Sequence, residues 1–152
     1  MGRKFEFVKR LNDVKDLKLP ERATQSSSGY DFFAIEDIEI PPFCRGNSPI
    51  LIATGIKAQM GEDEFLMLAN RSSNPSKKKL LLANGIGVID ADYYSNESND
   101  GEIFFSFYNM SKETVLITKG EKIGQGIFVK FAKVEEDKAT SKRKGGIGST
   151  GK

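Results

Sequence analysis

The sequence predicts an all-β protein, a sandwich or a barrel, and three observations carry that expectation. Alternating and β-branched runs of strand length recur along the chain, turn residues punctuate them about every ten positions, and no stretch sustains the periodicity of a long amphipathic helix. At 152 residues the chain is one domain's worth, long enough to bury a real core.

The strand signals come in order. DIEIP (37–41) alternates, and ILIATGIKAQ (50–59) is one β-branched run. FLML (65–68) follows the turn MGEDE (60–64) with the spacing of a hairpin. In GEIFFSFYN (101–109), Ile103, Phe105 and Phe107 share one face; QGIFVKF (125–131) repeats the pattern, placing Ile127, Val129 and Phe131 in the core. YYSNESNDG (93–101) reads as an exposed polar loop. Everything after Val134 is charged, small or glycine and cannot build a core, which divides the chain into a body over 1–134 and a mobile arm over 135–152.

Composition narrows the chemistry. There is no histidine, and Cys44 is the only cysteine, so Ser-His-Asp triads, Cys-His pairs and His-ligated zinc are excluded. One cysteine forms no internal disulfide; it reads as a small buried apolar residue in a reducing cytoplasm. Catalysis must rest on carboxylates, hydroxyls, Lys/Arg, amides or an oxygen-ligated metal such as Mg²⁺. The opening MGRKFEFVKRL has no long apolar run, so neither a signal peptide nor a membrane span is expected, and Glu6 stands where myristoylation wants Ser or Thr. With 23 basic and 21 acidic residues the net charge is +2, which argues against a dedicated nucleic-acid binder. The basic runs Lys77–Lys79 and Lys142–Lys144 are local, read either as solvated surface or as attraction for a small polyanion.

Two stretches carry chemistry. GIGSTGK (146–152) nearly matches a phosphate-cradling loop, but no hydroxyl or helix follows Lys152 and the polar segment before it is unlike a buried strand. A phosphate-loop nucleotidase is therefore not expected, although the glycines with Ser149 and Thr150 suit the wrapping of an anion. NGIGVIDADYY (84–94) packs Asn84, two glycines, an apolar triplet and two carboxylates into a hairpin-sized span. Its glycines let backbone approach a ligand, and Asp90 lies between Ile89 and Ala91; the plain alternative is a turn aspartate.

SGYDFFA (28–34), NRSSNPS (70–76), NGIGVIDADYY, KGEKIGQGI (119–127) and RKGGIGSTGK (143–152) together resemble, in order and spacing, the five motifs of the trimeric dUTPase family, most closely its bacterial and bacteriophage members. The resemblance implies a jelly-roll-like β-barrel, a homotrimer, and Mg²⁺-dependent hydrolysis of dUTP to dUMP and pyrophosphate. It also implies sites between subunits, each closed by a terminal arm from a neighbour, no nucleic-acid or membrane partner, and a cytoplasmic setting, that of a bacterial host if phage-encoded. Asp90 matches the water-activating carboxylate; Asp31 and Arg71 match residues that set the geometry and charge around it. Tyr93 lies where a ring packs under the deoxyribose, and Asn84 with the backbone about Gly87 and Ile89 matches the uracil-reading edge. Ser72, Ser73 and Gln125 fall at phosphate-contact positions. Arg143, Gly146, Ile147, Gly148, Ser149 and Thr150 form the arm's contacts, with Mg²⁺ held by phosphates and water rather than by protein. Tyr30 and Tyr94 are left to packing.

Three departures stand out. Ile147 replaces a stacking aromatic, Ser73 replaces a glycine, and about six extra residues separate Tyr93 from Gly101, read as idle in preference to a partner contact. The dCTP deaminases resemble the chain in RSS (71–73) and FYN (107–109), but Ser106 stands where their glutamate precedes that FYN. A regulatory protein switched by nucleotide is the alternative from a different class.

Overall fold

Runs of Ile, Leu, Val and Phe with a two-residue alternation settle into pleated strands because one face can be buried while the other stays wet. The computed structural model describes residues 2–151 and forms, among them, β1 (Lys4–Phe7), β2 (Glu21–Arg22), β3 (Tyr30–Phe33), β4 (Ile38–Ile40), β5 (Ile50–Ala53) and β6 (Ile56–Gln59). β7 (Glu64–Ala69), β8 (Leu80–Leu82), β9 (Gly87–Asp90), β10 (Phe104–Asn109), β11 (Val115–Ile117) and β12 (Lys122–Lys130) follow. Helix is confined to single turns at Lys9–Leu11, Asn74–Lys78 and Ala91–Tyr93. None is long and apolar enough to cross a membrane. The expected all-β class is therefore what the chain adopts.

A five-stranded sheet, β2-β3-β12-β7-β9, faces a three-stranded sheet, β5-β10-β8, with the pairs β1-β6 and β4-β11 beside them. Every named strand pair is antiparallel. The core lies between the sheets: Phe32 of β3 meets Phe105 of β10 edge to face with centroids 5.4 Å apart, and Leu66, Leu80, Ile52 and Ile117 close around them. Ile103, Phe105 and Phe107 are fully buried as their alternation predicts. Among the described residues none after Phe128 belongs to this core.

Four local expectations need correction. The run ILIATGIKAQ breaks at Thr54–Gly55, where Gly55 takes φ 69° and the Thr54 hydroxyl donates to the Ile103 carbonyl at 2.7 Å. Its halves join different sheets, β5 with β10 and β6 with β1. The expected hairpin through MGEDE is likewise absent, because β7 pairs with β12 and β9 instead of β6. There Glu64 accepts from the Gly61 N–H at 3.1 Å and pairs with Arg3, which tightens the turn and delivers the chain to the other sheet. Cys44 is exposed, not buried.

The fourth correction concerns β12. Ile127 and Val129 face outward and Phe131 is 42% exposed, whereas Phe128 packs on the core. The strand is apolar on both faces, so its alternation alone is ambiguous, and the glycines decide. A Cβ on Gly124 would lie 2.2 Å from the Phe105 ring, and one on Gly126 would lie 2.9 Å from the Phe32 ring. Only glycine fits beneath those rings, so the even positions face inward; an irregularity between Lys122 and Gly124 lets Ile123 face in as well. Outside, Ile127 lies opposite Met67 and Val129 opposite Phe65, and Met67 lies opposite Val88. Val88 is 56% exposed, part of an apolar outer face.

Gly124→Ala should therefore lower stability by about 2 kcal/mol through overpacking against Phe105. Urea unfolding measures it: a shifted midpoint with an unchanged slope is expected.

Candidate active site

The segment from Ala83 to Ile86 does not close a hairpin. β8 belongs to the three-stranded sheet and β9 to the five-stranded one, so the chain crosses between sheets here. Gly85 turns the corner at φ 73°, and the Ala83 N–H donates to the Ser106 carbonyl at 2.7 Å. Strands that part leave a space between them, and a cavity of about 490 Å³ opens at this crossing. Leu51, Ser106 and Tyr108 wall it from one sheet, and Gly87, Ile89 and Asp90 from the other. Gly87 has no room for a side chain, since a Cβ would lie 2.9 Å from that of Leu68.

Asp90 ends β9, and the turn Ala91–Tyr93 then swings Tyr93 inward to 5% exposure. The arm covers the opening. Arg143, its side chain 8% exposed, lies between two carboxylates, with Nη2 2.6 Å from Asp90 Oδ2 and Nε 2.8 Å from Asp92 Oδ1. Its guanidinium carbon is 5.8 Å from the Tyr93 ring centroid. Gly146, Ile147, Gly148 and Thr150 also line the cavity, together with Asn84, and Ser149 Oγ lies 3.4 Å from Arg143 Nη1. Ile147 is 64% exposed and so lies at the rim. Lys152 falls outside the described residues. Asp90 is the single carboxylate among the lining residues and Arg143 the single cation.

The remaining expected residues gather elsewhere. Asp31 Oδ2 pairs with Lys122 Nζ at 2.9 Å and sits directly across from Gln125, itself across from Ala69. Gln125 Nε2 donates to the Asn70 carbonyl at 3.1 Å, and Arg71 Nη1 to the Lys122 carbonyl at 3.2 Å. Ser72 is exposed and Ser73 half-buried, where the chain enters the Asn74–Lys78 turn. None of these five lines the cavity. Asp90 lies opposite Phe65 on β7 and Gln125 opposite Ala69, which puts the two groups about 13 Å apart along the strand. One chain thus carries the expected residues in two separate clusters.

Sequence reading missed several partners: Asp92, which shares Arg143; Lys122 and Asn70, which hold Asp31 and Gln125; and Leu51, Ser106 and Tyr108 in the cavity wall. The last two were legible, because residues alternating with the buried Phe105 and Phe107 must face the other way. Among the described residues no group of three or more Cys, Asp or Glu is placed to hold a metal ion.

The stretch after Tyr93, expected as an exposed polar loop, is instead partly buried and internally hydrogen-bonded. Asn96 Oδ1 accepts from the N–H groups of Ser98 and Asn99 at 3.0 and 3.2 Å, while its Nδ2 donates to the Tyr93 carbonyl at 2.8 Å. Lys57, buried beneath, donates to Ser95 Oγ and Asp100 Oδ1, both at 3.0 Å. Tyr94 is more than packing, its hydroxyl donating to Glu6 Oε2 at 2.8 Å and its ring lying 5.0 Å from Lys57 Nζ.

Comparison with known proteins adds a family to this geometry. The dUTPase family model matches residues 15–151. The deoxyuridine 5'-triphosphate nucleotidohydrolase of Lactococcus lactis is 42% identical over 151 residues, covering 98% of this chain and 97% of the relative. The crystal structure of a dUTPase from Streptococcus mutans superposes with a TM-score of 0.79 at 42% identity, over 86% of this chain and 98% of that one. A dUTPase mutant of Staphylococcus aureus phage phi11, described with a structural Mg(II) ion, shares the fold at 20% identity with a TM-score of 0.72, over 93% of this chain and 98% of that one.

The Lys57–Asp100 pair makes stability depend on acidity. Burial pushes the Asp100 carboxyl up, but the Lys9 N–H and the Lys57 ammonium outweigh it, so the group lies below its ordinary value. A lowered carboxyl contributes stability that is complete above its unfolded pKa and is lost as pH falls through the folded one. Asp100→Asn should be less stable at neutral pH and should lose less than the parent below about pH 4. Urea midpoints measured across that range test the pairing.

Proposed function

The chain belongs to the dUTPase family, and on that premise we propose that the cavity at the β8–β9 crossing receives the deoxyuridine of dUTP and that neighbouring subunits complete the site. The chain is a dUTP diphosphatase, which hydrolyses dUTP to dUMP and pyrophosphate. The observation that carries the assembly is the separation of the two clusters along β7. Asp31, Arg71, Ser72, Ser73 and Gln125 cannot reach a nucleotide in their own chain's cavity. A second copy, docked by the apolar outer face of Phe65, Met67, Val88 and Ile127, supplies them. Closed threefold symmetry satisfies every such face at once.

Asn84 and the backbone of Gly87 and Ile89 read the uracil edge, where a mismatched base leaves buried donors and acceptors unpaired. The Tyr93 ring lies under the deoxyribose and meets any 2′-hydroxyl. Asp90 orients a water and takes its proton as the water oxygen bonds to the α-phosphorus. The bond to the bridging oxygen breaks, and pyrophosphate leaves with that electron pair. Arg143, held at rest by Asp90 and Asp92, moves to the triphosphate, where its planar fork meets phosphate oxygens and Asp90 is released to act. Gly146, Gly148, Ser149 and Thr150 wrap the distal phosphates, and Ile147 covers the base without offering a π face. In the single chain the arm lies over its own cavity; in the proposed trimer the equivalent arm of a neighbour takes that place and seals the pocket against bulk water.

Mg²⁺ fits this site as an ion carried by the substrate, because among the described residues no carboxylates group into a cage and the triphosphate brings its own oxygens. Bound there, it neutralises charge building on the phosphates. Deamination of dCTP is disfavoured, because Ser106 lines the cavity where that chemistry needs a carboxyl group.

Asp90→Asn should cut turnover by about 10²-fold or more while keeping nucleotide affinity, read by pyrophosphate release and by calorimetry. Undiminished turnover removes Asp90 from its role. The solution mass should be that of three chains, and ending the chain at Lys138 should preserve that mass while lowering kcat by orders of magnitude. Sedimentation with an activity assay separates the two effects.

A further inference from the structure

The segment Ser95–Asp100 touches both the buried tyrosine and the arm, and a single side chain makes both contacts. The Tyr93 hydroxyl is buried, donates to the Glu102 carbonyl and accepts from Asn99 Nδ2 at 2.8 Å. A phenol held by a donor on one side and an acceptor on the other cannot slide or swing without leaving a buried polar group unpaired. Burial pushes the Tyr93 phenol above its ordinary value, so it stays a neutral donor. Asn99 is itself fixed. Its Oδ1 accepts from Asn96 Nδ2 at 2.7 Å and from the Gly101 N–H at 3.1 Å, which leaves Nδ2 to face the tyrosine. On the arm side, Gly146 is seated so closely that a Cβ there would lie 2.7 Å from Ser98 Oγ and 2.9 Å from Asn99 Nδ2. Ser98 can rotate away, but Asn99 can move only by giving up the tyrosine.

We propose that Asn99 is a positioning residue for sugar selection, its amide coupling the seat of Gly146 to the Tyr93 ring, so that closing the arm locks the ring against the sugar. The inference rests on the reading of the cavity as the nucleotide site with Tyr93 beneath the deoxyribose. The Gly146 seat is observed within one chain; in the proposed trimer the neighbour's arm would take the place of this chain's own and meet the same seat. The residues between Tyr93 and Gly101 then serve as the hinge of specificity, although none of them lines the cavity.

The test compares kcat/KM for dUTP and UTP, by pyrophosphate release with Mg²⁺, in full-length Asn99→Asp, Tyr93→Phe, their double variant, Gly146→Ala and Tyr93→Ala. Asn99→Asp keeps the acceptor that holds Gly101 and turns the donor to the tyrosine into an acceptor that competes with the Glu102 carbonyl for the phenol proton; the turn's other hydrogen bonds remain, so it is expected to fold. It should lower the dUTP-over-UTP ratio about fivefold, the weight of one hydrogen bond. Tyr93→Phe should do the same, and the double variant should be no worse than either, because both remove one shared contact. Gly146→Ala should relax the ratio in the parent and add nothing in Asn99→Asp. A parental ratio in Asn99→Asp, with or without a lowered Tm, overturns the proposal, as does additivity in the double variant. Tyr93→Ala distinguishes the levels. If it leaves the ratio unchanged, the sugar-platform reading falls and the inference with it; if it relaxes the ratio while Asn99→Asp does not, only the inference falls.

Discussion

The contact on which the rest of the structure depends is that of Gly124 and Gly126 with the rings of Phe105 and Phe32. The two glycines leave the space that those rings fill, and in filling it the rings fix which face of β12 points inward. Everything beside β12 inherits that choice. Gln125 must face outward, next to Asp31 and Ala69, and Ile127 and Val129 must form an apolar outer surface with Phe65 and Met67. A strand slipped by one residue would turn Gln125 into the core and lose both its cluster with Asp31 and the apolar outer surface.

The site also depends on a strand pairing that is absent. Because β8 and β9 part company at Gly85 and join different sheets, backbone on both sides of the crossing is left facing a cavity instead of a partner strand. Such backbone is what a base edge needs, since donors and acceptors already held in place lose little entropy on binding. The same economy appears under Tyr93, where Lys57 pairs with Asp100 and Arg10 with Glu102, and Glu102 also accepts the Gly55 N–H at 3.0 Å. Among the described residues no buried side-chain polar atom lacks a partner, so this polar layer is rigid enough to position an aromatic ring.

Electrostatics at the opening is concentrated in very few groups. One carboxylate and one guanidinium line the cavity, and in the absence of phosphate they neutralise each other. A triphosphate competes for the guanidinium with several charged oxygens at once. On the proposed mechanism, substrate binding would free the carboxylate assigned to act on water, a coupling that needs no conformational machinery beyond the arm itself.

The sequence by itself determined the all-β class, because strand-length alternation leaves no helical option, and it determined which chemistry was excluded, because composition does not depend on folding. It also marked Asp90, Tyr93 and Arg143, whose motif spacings are local, and the buried face of Ile103, Phe105 and Phe107, whose opposite positions are partly polar. Only the tertiary structure decided the facing of β12, where apolar residues on both sides make the alternation ambiguous, and the sheets joined by β5, β6 and β7, since pairing is settled by contacts far apart in sequence. The role of Asn96 and Asn99 was hidden for a related reason. Polar residues in a turn look solvated until a buried hydroxyl is brought within reach of them, and the Glu102 and Tyr93 that do so are placed by the sheets, not by the loop.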